Sequence, residues 1–71
     1  FEVIQQRIVG ANHLKLVLSP DHGRTLIDAI WFNANRATVE KQVEVVYSLD
    51  INEYRGRRSL QLMVRHLVEL R

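Results

Sequence analysis

Apolar and polar residues alternate with a period of two over several stretches of the chain, and turn-forming residues separate those stretches. The clearest run is Val43, Val45, Tyr47, Leu49 and Ile51 interleaved with Glu44, Val46, Ser48, Asp50 and Asn52, which predicts a strand with one buried face. Leu14, Leu16 and Leu18 alternate with His13, Lys15 and Val17 in the same way, so a second strand carries a partly basic outward face. Glu2 to Val9 is rich in Val and Ile but alternates imperfectly, as a barrel strand does where it bends and changes neighbours. Ser19-Pro20-Asp21-His22-Gly23 is a run of turn formers that predicts a hairpin turn. A third extended run follows from Thr25 to Phe32 and ends at Asn33-Ala34-Asn35, so the first three strands form a meander.

Arg36 to Gln42 is polar and too short for a stable isolated helix, which predicts a connector of one turn or a long loop. Asn52 to Arg58 reads as the loop after the fourth strand. The last element, Ser59 to Leu70, fits two patterns. Leu60, Leu62, Val64 and Val68 suit a strand face, and Leu60, Met63, Val64 and Leu67 suit a helix stripe. Four preceding strands need a partner to close, which favours the strand. The expected fold class is therefore all-β: a small five-stranded Greek-key barrel of the oligonucleotide-binding (OB) type, with a short polar connector between strands three and four.

With 71 residues, 46% of them apolar, the chain suffices for one compact domain spanning 1–71. A domain of this size buries only about 60% of its unfolded surface. Val3 and Ile4 follow Phe1 so closely that the sequence reads as a piece of a larger multidomain protein. The absence of cysteine excludes disulfide frameworks, thiolate zinc sites and cysteine nucleophiles. The longest apolar stretches, such as Ile30 to Phe32, fall far short of the ~18 residues of a membrane helix, so a soluble protein with no membrane partner is expected. Net charge is only +2, and its distribution matters more: three of the ten Lys and Arg residues are Arg55, Arg57 and Arg58, gathered around Gly56.

Several local patterns are similar to one known family. Gln5-Gln6-Arg7-Ile8-Val9-Gly10 followed by His13-Leu14-Lys15, then Asp28-Ala29-Ile30 with Phe32-Asn33, then Leu49-Asp50-Ile51-Asn52-Glu53-Tyr54-Arg55-Gly56 with Ser59-Leu60-Gln61-Leu62, occur in an order that resembles the C-terminal OB domain of bacterial RecJ exonucleases. The stretch from Ala34 to Gln42 has no counterpart in that likeness. The resemblance implies a module of a cytoplasmic DNA repair and recombination enzyme that degrades single-stranded DNA from its 5′ end. Its divalent metals, Mg2+ or Mn2+, would be held by Asp and His residues of a separate catalytic core in the same polypeptide. Single-stranded DNA, that core and single-strand-binding protein are the implied partners. Asp21-His22-Gly23 only partly matches the Asp-His-His motif of such a core and lacks an accompanying aspartate cluster, so no catalytic, metal or cofactor site is expected within these residues.

OB folds bind oligonucleotides across strands two and three and through the loops joining strands one to two and four to five. Arg55, Arg57 and Arg58 are expected in the latter loop, where guanidinium forks suit phosphate oxygens and Tyr54 can stack on a base. The competing reading is a solvated tip whose arginines pair with Glu53 or Asp50. Lys15, two residues from His13 and on its face, is a second phosphate candidate. Gln6 and Arg7 cannot both point outward, and Arg7 is taken as the outward one. Arg65 shares a strand face with Gln61 and Met63 and extends the basic surface. If Phe32 is buried with Ile30, Trp31 lies outside, where it either stacks on a base or packs on a neighbouring domain. The rival to a DNA-binding module is a structural or docking module that packs on the nuclease core or on single-strand-binding protein.

Overall fold

The computed structural model describes residues 1–70 as five strands, with no helix among the described residues. They are β1 (Glu2–Val9), β2 (His13–Ser19), β3 (Ile27–Trp31), β4 (Gln42–Tyr54) and β5 (Arg57–Leu70). The sheet closes into a barrel in the order β1-β2-β3-β5-β4, the five-stranded arrangement expected of an OB fold. All neighbours are antiparallel except β3 and β5, which run parallel over Asp28↔Gln61, Ala29↔Leu62 and Ile30↔Met63. The last element is thus a strand.

Side-chain alternation explains which residues fill the barrel. Leu14, Leu16 and Leu18 of β2 are fully buried, and their partners Ala29 on β3 and Val3 on β1 point inward with them. Val43, Leu62, Val64 and Leu67 complete the wall, and Ala34 and Val39 from the connector join the same cluster. The imperfect pattern of β1 has its cause in a bulge: Val3 faces Leu18 and Gln5 faces Val17, which leaves Ile4 without a partner. A second bulge lies in β5, where Val46 faces His66 and Tyr47 faces Val64, so Arg65 and His66 are both exposed and the inward series runs Leu62, Val64, Leu67.

Three boundaries differ from the sequence reading. The segment after β2 is a loop rather than a tight hairpin turn, and β3 begins only at Ile27. Within that loop the buried Ser19 hydroxyl accepts from the Asp21 and Gly23 N–H groups and donates to Asp21. Asp21 in turn accepts from the Thr25 hydroxyl at 2.6 Å and the Thr25 N–H at 2.7 Å. Those bonds from Thr25, the hydroxyl's first, hold the Asp21 carboxyl below the usual aspartate range. The connector forms no helical turn; it runs back along β1, where Val3 N–H donates to Lys41 C=O and the Gln6 side chain donates to Val39 C=O at 3.1 Å while accepting from Val39 N–H at 2.7 Å. Arg36 pairs with Glu69 of β5, and Glu40 N–H donates to the same carboxylate.

The third difference concerns the arginine segment. Asn52 to Arg58 is not a loop: β4 and β5 stay paired out to Tyr54↔Arg57, and only Arg55 and Gly56 make the turn. Both have positive φ, 52° and 75°, the left-handed pair that a two-residue hairpin turn needs to match strand twist. Beyond the row Asp28, Gln61 and Asp50, where β3 joins, β4 and β5 continue as a two-stranded arm of four residue pairs, about 14 Å long.

Candidate nucleic-acid interface

The outer face of the barrel is set by the same alternation that buries the leucines. Lys15 stands directly opposite Arg7 on β1 and Ile30 on β3, and Ile30 stands opposite Met63 on β5. Arg7 therefore points outward as expected, and Gln6, opposite the buried Leu16, turns to the core side to hold the connector. Arg7 and Lys15 flank an open groove of about 480 Å³ that also exposes Gln5, Val17 and Asp28.

The aromatic residue on this face is Phe32, which corrects the expected orientation of β3. Trp31 faces Leu14 and packs against the core, partly buried, because Ala29 rather than Ile30 is the inward neighbour. Phe32 is 48% exposed and meets the His13 ring edge-on, with centroids 5.0 Å apart. His13 Nδ1 also accepts from the Asn33 N–H at 3.0 Å, which ties the end of β3 to the start of β2. Arg65, two residues beyond Met63, is exposed on the same side as Phe32, two residues beyond Ile30. Phe32 is the functional candidate that the alternation of β3 conceals; the signal that finds it is the Lys15↔Ile30 register, which puts Ile30 and Phe32 outside, beside His13 on the face of Lys15.

The arm carries the second group of cations. Tyr54 is 70% exposed, with the Arg55 guanidinium 5.2 Å from its ring centroid. Arg57 lies opposite Tyr54 on one face of the ribbon, and Arg58 lies opposite Glu53 on the other. Only Arg55 sits in the turn, so the three arginines do not form one loop cradle. Among the described residues the ion pairs are His22–Glu2, Arg36–Glu69 and Lys41–Glu2, so Arg7, Lys15, Arg55, Arg57, Arg58 and Arg65 are all left to meet an outside anion. Pairing of the tip arginines with Glu53 or Asp50 does not occur.

A sequence model described as the RecJ OB domain matches residues 1–66. The chain belongs to the RecJ OB domain family. Among curated proteins it is 44% identical to the single-stranded-DNA-specific exonuclease RecJ of Dickeya dadantii, over 94% of this chain and 12% of that protein. The RecJ proteins of Haemophilus influenzae and Escherichia coli are 45% and 42% identical over 94% of the chain and 13% and 12% of their own lengths. The RecJ OB domain described here thus spans about an eighth of the length of those relatives. No solved structure matches it.

Charge on this RecJ OB domain is divided, not continuous. Asp28, Gln61 and Asp50 form the row between the barrel group, Arg7, Lys15 and Arg65, and the arm group, Arg55, Arg57 and Arg58. A polyanion that follows the outer face would meet cations at both ends and hydrogen-bonding side chains between them. The RecJ OB domain also exposes apolar surface, but at Tyr47, Leu49, Ile51 and Leu60, on the core-side face of β4 and β5 from the barrel into the arm, rather than around Trp31.

Proposed function

We propose that this domain is the single-stranded-DNA-binding accessory module of a RecJ-like 5′–3′ exonuclease acting in DNA repair and recombination. In this reading it contributes no catalytic residue, and the Mg2+ or Mn2+ chemistry belongs to the catalytic core of the same polypeptide, in the cytoplasm. The observation that carries it is the outer face of β1, β2 and β3, where Arg7 and Lys15 lie opposite each other beside the exposed Phe32–His13 pair. Paired cations suit adjacent phosphates, and an exposed ring offers a stacking surface that tolerates any base, worth about 1–3 kcal/mol per base. Arg65 extends this face, and Tyr54 with Arg55 and Arg57 gives the strand a second grip on the arm, with Arg58 adding positive charge from the other face of the ribbon.

The test uses the full-length exonuclease and a labelled oligothymidine, with polarisation read at 50 and 200 mM salt. Each single-strand phosphate contact contributes about 0.7 to the slope of log K against log salt. Arg7→Gln with Lys15→Gln is expected to lower that slope by about 1.4, so the wild type loses about sevenfold more affinity than the variant over this salt interval. Replacing Arg55, Arg57 and Arg58 together by Ala is expected to lower it by about 1.4, the contribution of Arg55 and Arg57, because Arg58 lies on the opposite face of the ribbon. Unchanged slopes in both variants would overturn the proposal.

The exposed stripe of Tyr47, Leu49, Ile51 and Leu60 favours a second reading, in which the arm packs on the nuclease core or on a partner such as single-strand-binding protein. Leu49→Ser with Ile51→Ser would then weaken that assembly, read by co-sedimentation with single-strand-binding protein and by the melting temperature of the full-length enzyme, without altering the salt slope.

A further inference from the structure

Strand β4 is paired with β5 along its length, but its opposite edge is paired only at its start. There Glu2 faces Gln42, Val43 N–H donates to Phe1 C=O at 2.9 Å, and the Phe1 nitrogen donates to Val43 C=O at 2.8 Å. This reciprocal exchange makes Phe1 and Val43 a hydrogen-bonded antiparallel pair, and alternation then directs the N–H and C=O groups of Val45, Tyr47, Leu49 and Ile51 to the same edge. Among the described residues no backbone group meets them. Natural sheets protect such an edge with lysine, proline, short strands or a covering segment. Residues 44 to 51, Glu-Val-Val-Tyr-Ser-Leu-Asp-Ile, contain neither lysine nor proline.

The core-side face tells the same story through side chains. Leu49 lies directly opposite the buried Leu62, yet is itself 61% exposed, and Ile51 is 62% exposed. Their exposure arises on the side where the flanking strand is missing. Direction identifies what would flank them. Because β1 is antiparallel to β4, the backbone traced upstream through Phe1 heads along the arm, and the Phe1 ring already leans on Tyr47 with centroids 6.3 Å apart. The residue bonded to Phe1 would stand opposite Glu44, the next opposite Val45 and the third opposite Val46.

We propose that in the full-length polypeptide the residues immediately before Phe1 continue β1 along the free edge of β4, toward the arm, and give β4 a second neighbouring strand opposite β5. The proposal rests on the reading that the domain lies within a longer RecJ polypeptide, as its coverage of only 12% and 13% of the relatives suggests. The added strand gives the free edge of β4 its backbone partners and covers Leu49 and Ile51.

Register makes the idea testable by cross-linking in the full-length protein. The third residue before Phe1 and Val46 would form a non-hydrogen-bonded pair, with Cα atoms about 4.5 Å apart, inside the range a disulfide accepts. Val46 is exposed, so Val46→Cys leaves the barrel core intact. Under mild oxidation, Val46→Cys combined with cysteine at that third position is expected to cross-link at least tenfold faster than Val46→Cys combined with cysteine at the second position, whose side chain would leave the opposite face. Glu53→Cys with Arg58→Cys, directly opposite in the arm, serves as the oxidation control. Equal or absent cross-linking of the two upstream pairs while the control forms would overturn the proposal. So would disulfide-linked dimers of the single Val46→Cys variant forming faster than either pair, which would assign the edge to a second copy. DNA affinity plays no part in this readout, so a failed DNA reading would leave the result standing.

Discussion

Gln6 substitutes a side chain for a strand partner, and removing it should loosen the barrel where the connector passes β1. Its amide donates to Val39 C=O at 3.1 Å and accepts from Val39 N–H at 2.7 Å, and Val39 is buried. Each neutral hydrogen bond contributes about 0.5–1.5 kcal/mol net, and a buried group left unpaired costs about 1–3 kcal/mol, so Gln6→Ala should cost about 2–3 kcal/mol. With a urea m-value of about 1 kcal/mol/M for so small a domain, the unfolding midpoint falls by about 2–3 M. Trp31, packed against the core, is the sole tryptophan and reports the transition by fluorescence. Gln6→Glu refines the test. As a carboxylate it accepts from Val39 N–H but opposes Val39 C=O; as a carboxylic acid it restores both bonds. The folded state therefore raises the introduced group's pKa, so its stabilisation is complete below the unfolded value of about 4.3 and is lost as pH rises through the folded value. A Gln6→Ala midpoint within about 0.3 M of wild type, about 0.3 kcal/mol, would refute the reasoning, as would a Gln6→Glu variant whose deficit does not grow between pH 4 and 7.

Other consequences are equally direct. Leu16 is fully buried between Gln6 and Ala29, so Leu16→Ala should cost about 2–5 kcal/mol in the same urea assay. Arg55 holds φ at 52°, a conformation that asparagine adopts more readily, so Arg55→Asn should stabilise the hairpin by on the order of 1 kcal/mol while weakening oligothymidine binding at low salt. Asp21, its carboxyl held low by Thr25, contributes stability that is present above the unfolded aspartate pKa and lost as pH falls through its folded value; Asp21→Ala should flatten that acid limb, and NMR titration of the wild type should place Asp21 below ordinary aspartates.

Much of this architecture is legible in the sequence because burial on one face imposes a period of two. The leucines of β2 needed no tertiary information; the run from Val43 to Ile51 marks its strand, but of its expected buried face only Val43 is buried, whereas Tyr47, Leu49 and Ile51 have no strand flanking them on the side away from β5 and are exposed. Where the reading wavered, a bulge was responsible. By adding one residue at Arg65–His66, β5 spaces its inward positions as Leu62, Val64 and Leu67, and that interval of three imitates a helix stripe. The orientation of β3 failed for a different reason: Ala29 and Ile30 are both apolar, so only the register with β2 decides that Ala29 and Trp31 face the core. The arginine segment read as a loop because Asn52 is a turn former and Arg-Gly is a weaker hairpin signal than Asn-Gly; pairing of Tyr54 with Arg57 carries the strands past it. Lys15, Arg7 and Arg65 emerged on the expected face, whereas Phe32 needed the register.

Of the five strands, the one that leaves the ribosome last sits between β3 and β4. Until β5 has emerged, β3 has an open side and β4 meets β1 only at Glu2↔Gln42, so the meander of β1 to β3 is the largest part of the barrel that can assemble up to that point. Barrel closure then requires β5 to insert between two strands at once, parallel to one and antiparallel to the other, which pays the loop-closure entropy of distant segments before contacts reward it. Such a chain should fold in about milliseconds to seconds rather than microseconds. Substitutions in β5, such as Leu62→Ala, should then slow refolding, whereas changes confined to the distal arm should act mainly on the rate of unfolding.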